Sequence, residues 1–196
     1  MNLEFAQIFV LITALVSIVL SIVFFEKGKT KLSLLLMVLG SLGLGLFFAM
    51  LDPFLNIWDE SYHALVAKNL IDHPITPMLY KTPLLDYDYR LWTDNYIWIH
   101  KQPLFLWQIA LSMKIFGINE LSVRIPDIIM HAIIPVMIYR VAKISTGDAR
   151  LSFFSAIFFA VAFYPLELVA GALPTDHNDT AFLFYVFAGF GAWFEY

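Results

Sequence analysis

Residues 5–25 carry no charged side chain, and a stretch that apolar and that long has few ways to fold. A hydrocarbon core of about 30 Å needs ~20 residues of helix to cross it. In lipid the backbone N–H and C=O groups must be satisfied within the segment, which selects a helix. The preceding Met-Asn-Leu-Glu has neither a basic region nor a small-residue cleavage site, so a retained span is the stronger reading than a signal peptide.

The same pattern recurs. Apolar stretches at 32–51, 127–143, 151–170 and 180–196 predict further spans. The expected fold is therefore an all-α polytopic membrane protein with about five transmembrane helices. Its composition agrees, with 60% of residues hydrophobic and 14% charged, against roughly a half and a quarter in soluble domains. Gly40, Gly43 and Gly45 within the second span suit close helix packing.

Several function classes drop out. A net charge of -4 offers nothing to a nucleic acid. The absence of cysteine rules out disulfides and thiolate metal sites within these residues. No P-loop, GxGxxG, GxSxG or HExxH pattern occurs, so nucleotide-hydrolysing and common hydrolase motifs are missing.

Lysine and arginine set an expected orientation. The short loops 26–31 and 140–150 are basic, and short basic loops stay in the cytoplasm. The amino terminus, the long loop 52–126 and the turn 171–179 then share the opposite face. Within the long loop, Tyr62, Leu65, Val66 and Leu70 mark one face of a helix over 60–70, with Lys68 and Asn69 off it. Pro74 and Pro77 end it. Residues 74–99 read as an irregular interfacial segment. A second helix is expected over 103–116, opened by Pro103, closed by Gly117 and lying flat on the membrane.

Four polar groups stand out on that face. Asp59 and Glu60 follow a span by a few residues. They either complement a helix N-terminus or do chemistry, since ionisable residues at membrane depth are costly when idle. Lys101 precedes a proline-started helix, an arrangement that suits an anion such as phosphate, although a snorkelling lysine looks the same in sequence. Arg124 stands similarly just before the third span, where a lipid headgroup is the alternative partner. Asp176-His177-Asn178-Asp179 could hold a divalent cation, cap the next span, or line a polar site without metal, which is the preferred reading. His63, His73 and His131 stand alone in sequence and are assigned no ligand role.

Taken in order, these residues resemble a family. The Asp59-Glu60 pair and its helix, the Lys-x-Pro-Leu-x-x-Trp run at 101–107, Val123-Arg124-Ile125-Pro126, and the acidic turn leading into Thr180-Ala181-Phe182-Leu183-Phe184 are similar to motifs of the GT-C membrane glycosyltransferases. The similarity is to the branch of protein O-mannosyltransferases and lipid A aminoarabinose transferases, and it covers about residues 50–196. It departs at His100, where an acidic residue is common, at Gln102, where proline is common, and in the additional first span.

The resemblance implies a polyprenyl-phosphate-linked sugar donor and a hydroxyl acceptor on a lipid, glycan or protein. It implies Asp59 as catalytic base, Lys101 on the donor phosphate, and a second acid at Asp179 or Asp176, with Asp179 the closer in pattern. Glu60 would orient the site, and Arg124 would assist Lys101. Transfer would invert the anomeric centre on the periplasmic or outer face of a bacterial inner membrane. Residues 1–196 would be the amino-terminal part of a longer catalytic domain. A transporter or other ion-binding membrane component is the alternative, with the carboxylates as cation or proton sites.

Overall fold

The computed structural model describes residues 3–82, 86, 88, 90–91, 95–173 and 177–195. It is built from eight helices, and no strand occurs among the described residues. The first two form a hairpin. Helix α1 (Phe5–Glu26) starts on a capping box between Glu4 and Gln7, and α2 (Thr30–Ala49) follows a tight turn at Gly28. Serine hydroxyls stitch them together: Ser21 Oγ donates to the Ser33 carbonyl and Ser33 Oγ to the Ser21 carbonyl, both at 2.8 Å. Gly40 and Gly43 let the backbones approach, because a Cβ at either would overlap Ile18 or Ala14.

Only 17% of the most apolar window of α1 is buried inside the protein. Phe5, Phe9, Ile12, Val16 and Val19 stay exposed along it. An exposed apolar stripe of that length marks a contact with membrane or with another apolar surface, and its length suits a bilayer.

Helix α5 (Glu120–Thr146) is the central pillar, packing on α2, α6 and α8. The sequence pattern placed its start near residue 127. It begins seven residues earlier because Asn119 caps it in a reciprocal box with Ser122. Gly147, at φ 72°, ends it.

The stretch expected as a single span over 151–170 divides into α6 (Ala149–Ala160) and α7 (Phe163–Val169), bent by 47°. Pro165 explains the break, since its ring clashes with a helical carbonyl four residues back. The expected count of five spans is met only in part among the described residues. Among the described residues, three helices, α1, α2 and α5, are long and apolar enough to cross a membrane, and a fourth joins them if α6 and α7 act as one span. The last helix, α8 (Asp179–Glu195), is apolar but shorter.

The long loop supplies α3 (Asp59–Leu70) and α4 (Pro103–Phe116), close to the expected limits. The buried face of α3 differs from the expected one. Leu65 is exposed, whereas Asn69 is buried and donates to the carbonyls of Met78 at 2.7 Å and Leu79 at 3.1 Å. That amide anchors the irregular segment, which pairs Leu79 N–H with the Tyr96 carbonyl and Trp98 N–H with the Pro77 carbonyl, each at 2.8 Å. Leu79 and Trp98 are thereby driven into one core with Val66, Leu106 and Ile109.

Candidate functional site

Two chain ends of opposite character result. At one end Arg150 Nη2 meets Glu26 Oε1 at 3.1 Å, so the two basic loops lie together. At the other, Gln7 donates to the Met50 carbonyl at 2.7 Å, and α3, the start of α4 and the turn before α8 converge.

Asp59 and Glu60 open α3 but face different partners. Glu60 is fully buried and locked to Arg124, with Nε to Oε1 at 2.6 Å and Nη2 to Oε2 at 3.1 Å. The remaining guanidinium N–H groups donate to the carbonyls of Ala49 (2.8 Å), Asp52 (2.6 Å) and Phe54 (2.8 Å). Glu60 also accepts from the Asn56 N–H at 2.7 Å. All five guanidinium donors therefore have protein acceptors, and the side chain is 1% exposed. The phosphate contact expected of Arg124 finds no spare N–H here; instead Arg124 binds the end of α2 to the start of α3. A buried charge is tolerated in this way only when it is paired and fully hydrogen-bonded.

Asp59, 5% exposed, turns instead to Lys101. The Nζ–Oδ2 distance is 3.3 Å, and the same ammonium donates to Asn178 Oδ1 at 3.1 Å. Lys101 keeps 23% of its side-chain surface exposed. It stands two residues before Pro103, the first residue of α4. The first acidic motif, the lysine and the acidic turn, far apart in sequence, meet at this one point.

Lys101 and Asn178 also line a cavity of about 410 Å³ whose other walls include Leu104, Phe105, Phe182 and Val186. One cation thus stands beside a cavity whose walls are mainly apolar.

Asp179 is the first residue of α8 and is partly buried, whereas Asp176 lies outside the described residues. Among the described residues no group of three or more His, Cys, Asp or Glu side chains is placed to hold a metal ion. His63, read from sequence as isolated, in fact meets His177, with Nδ1 atoms 2.8 Å apart. No spacing could reveal that contact. The burial of His63 and the neighbouring Lys101 and His100 charges push its imidazole down to about 3. His177 is driven well below the usual range by burial, then by His63, Arg124 and Lys101.

Comparison with known proteins bears on the same residues. Residues 100–192 match the family model for dolichyl-phosphate-mannose-protein mannosyltransferase. That stretch carries Lys101, Arg124, His177 and Asp179 but begins after Asp59 and Glu60. An uncharacterized protein of Aquifex aeolicus (strain VF5) is 26% identical over 142 residues, covering 71% of this chain and 25% of the relative. The chain thus spans about a quarter of the length of that relative. No solved structure matches. Over the part holding the lysine and the acidic turn, the chain is similar to a family of membrane mannosyltransferases.

Proposed function

We propose that the full-length protein transfers a sugar from a polyprenyl-phosphate donor to a hydroxyl acceptor on the extracytoplasmic face of the membrane. The observation that carries this reading is the meeting of Asp59, Lys101 and Asn178 beside an apolar cavity. The family similarity over residues 100–192 points the same way.

The chemistry asks for three things. The acceptor hydroxyl must lose its proton as it attacks, and the Asp59 carboxylate is the base. Negative charge builds on the departing phosphate, and Lys101 stabilises it as a point charge. The prenyl chain lies in the apolar cavity. A lipid phosphate leaves without a strong general acid, so one displacement suffices, and that displacement inverts the anomeric carbon. Glu60 and Arg124 act on the reaction only by fixing where α3 begins.

The test is transfer of radiolabelled sugar from polyprenyl-phosphate mannose, and from other polyprenyl-phosphate sugars, in membranes containing the full-length protein. Labelled product that is absent from control membranes is the expected result. No transfer from any such donor would overturn the reading.

A further inference from the structure

Asn178 gives up the usual role of its position in order to reach Lys101. It stands immediately before Asp179, the first residue of α8, and its backbone carbonyl accepts from the Phe182 N–H at 3.0 Å. That is the N-cap position, where asparagine is favoured because its side-chain oxygen takes up an N–H two or three residues on. Among the described residues Asn178 makes no such bond. Its Oδ1 accepts from Lys101 Nζ at 3.1 Å instead.

That contact fixes the rest of the amide. An ammonium has donors only, so the amide must turn its oxygen to the lysine and not its nitrogen. Nδ2 is then left without a role inside the protein, since it donates no hydrogen bond among the described residues and the side chain is only partly buried. Lys101 is in a similar state. Its ammonium carries three N–H groups, and its partners are Asp59 and Asn178. Spare donors on both residues therefore stand beside the cavity that the two side chains line.

The walls of this cavity follow a helical register from each polar residue. Ala181, Phe182, Tyr185 and Val186 stand three, four, seven and eight residues after Asn178, which is one face of α8. On the other wall Leu104 and Phe105 stand three and four residues after Lys101, at the start of α4. Both walls thus begin at a polar side chain and continue in apolar or aromatic ones, and α8 carries that face further.

A phosphodiester on a hydrocarbon chain has the matching chemistry. Its two non-bridging oxygens can each take an N–H from one of two neighbouring donors, the charged one giving the stronger bond. Its single negative charge asks for no second cation. Arg124 supplies no second donor, because its N–H groups are all held by protein acceptors. Asn178 does.

We infer that Asn178 is a donor-binding residue with two tasks: Oδ1 holds the Lys101 ammonium in place, and Nδ2 donates to the phosphate of the prenyl-linked sugar. The sugar part of this rests on the proposed transfer reaction, whereas the phosphate contact can be measured without any transfer.

The test is equilibrium binding of polyprenyl phosphate and of polyprenol, the same chain without phosphate, to the full-length protein in nanodiscs. Wild type should prefer the phosphate. Asn178→Ala should shrink that preference roughly tenfold to a hundredfold and leave polyprenol binding unchanged. The same substitution in a Lys101→Met protein separates the two tasks. A further loss of phosphate binding is expected there, because the Nδ2 bond does not run through the lysine. Asn178→Asp keeps an acceptor for Lys101 but replaces the amide donor with a second acceptor. It should bind phosphate no better than the alanine variant, and it carries the test if the alanine protein does not fold.

Equal losses for phosphate and polyprenol would overturn the inference, as would no further loss in the Lys101→Met background or an aspartate variant that keeps the wild-type preference. The transfer reading fails separately. A wild type that shows the expected binding pattern but transfers no sugar would leave Asn178 as a phosphate ligand and defeat the transfer reading alone.

Discussion

Gly171 rests so closely on the carboxylate of Glu60 that a Cβ built on the glycine would overlap all three carboxylate atoms. The glycine also sits at φ +66°, where L side chains are strained. Glu60 cannot retreat, because Arg124 and the Asn56 N–H hold it. Gly171→Ala should therefore cost left-handed strain of about 1–2 kcal/mol plus damage to a buried ion pair, which on partner loss costs roughly 3–5 kcal/mol. Gly28 and Gly147 make an internal control. They share φ values of +73° and +72°, yet nothing lies within 4 Å of either. Thermal denaturation in detergent should show Gly171→Ala lowering Tm far more than alanine at Gly28 or Gly147.

Sequence pattern made the helices of this chain legible where a single element decides the outcome. The limits of α4 follow from Pro103 and Gly117, and the lipid-facing length of α1 follows from its missing charges. It also brought out Asp59 and Lys101, since ionisable groups among apolar ones are visible without coordinates. The rest depends on contacts between distant segments. Arg124 resembled a phosphate ligand because its five acceptors are scattered carbonyls and one carboxylate. His63 and His177 looked unrelated because their meeting depends on how α3 and the turn before α8 dock on α5.

Arg124 and Lys101 should now separate by phenotype. Arg124→Lys keeps the charge but offers one ammonium in place of five planar donors, so carbonyls at the end of α2 lose partners. Its expected effect is loss of folded protein, close to that of Arg124→Ala. Lys101→Ala removes a partly exposed cation with two partners. It should fold normally and weaken donor use more than acceptor use, with Lys101→Arg recovering only part. Side-by-side size-exclusion profiles and donor KM values distinguish the two. A monodisperse Arg124→Lys protein with only a raised donor KM would return Arg124 to the phosphate.

The buried histidines set an acid limit on stability. His63 is held down to about 3 by burial and by the Lys101 and His100 charges, and His177 is lowered by burial and by His63, Arg124 and Lys101. Both are neutral when folded and gain protons near 6.5 when unfolded. Below that pH the unfolded state binds more protons, so stability falls as pH drops toward the folded value of His63. One such histidine contributes about 1.4 kcal/mol per pH unit across that window. Tm should be flat between pH 7 and 8 and fall below about 6.5. His63→Phe should flatten the acid slope, and an unchanged slope would assign it to other groups.

The proposed orientation can be tested at the two ends of the helix bundle. Lys29 is exposed at the end that holds the basic loops, and Ile75 is 87% exposed in the loop at the other. In a full-length cysteine-free background, Lys29→Cys should react with an impermeant maleimide only from the cytoplasmic side. Ile75→Cys should react only from outside. Reaction of both from one side would contradict the orientation, and with it an extracytoplasmic site.

Asp59 gives the sharpest test of the chemistry. Asn at this position keeps the size of the side chain, and its amide oxygen can still accept from Lys101, which now stands 3.3 Å from the carboxylate. The N-cap of α3 is Trp58, with no side-chain cap hydrogen bond, so Asn at the first helical residue forfeits no cap and the fold has little reason to respond. What asparagine cannot do is take the proton of the acceptor hydroxyl. General-base catalysis contributes roughly a hundred- to ten-thousandfold, and Asp59→Asn should lose at least that much in kcat with donor binding kept. Glu60→Gln should fail differently. Glu60 is buried against Arg124, so removing its charge leaves a buried cation partly unpaired and lowers the yield of folded protein before it lowers kcat. Two adjacent carboxylates would thus give opposite signatures, one kinetic and one structural. A near-normal kcat in a folded Asp59→Asn protein would defeat the base assignment and reduce the Asp59–Lys101 contact to a packing feature of α3.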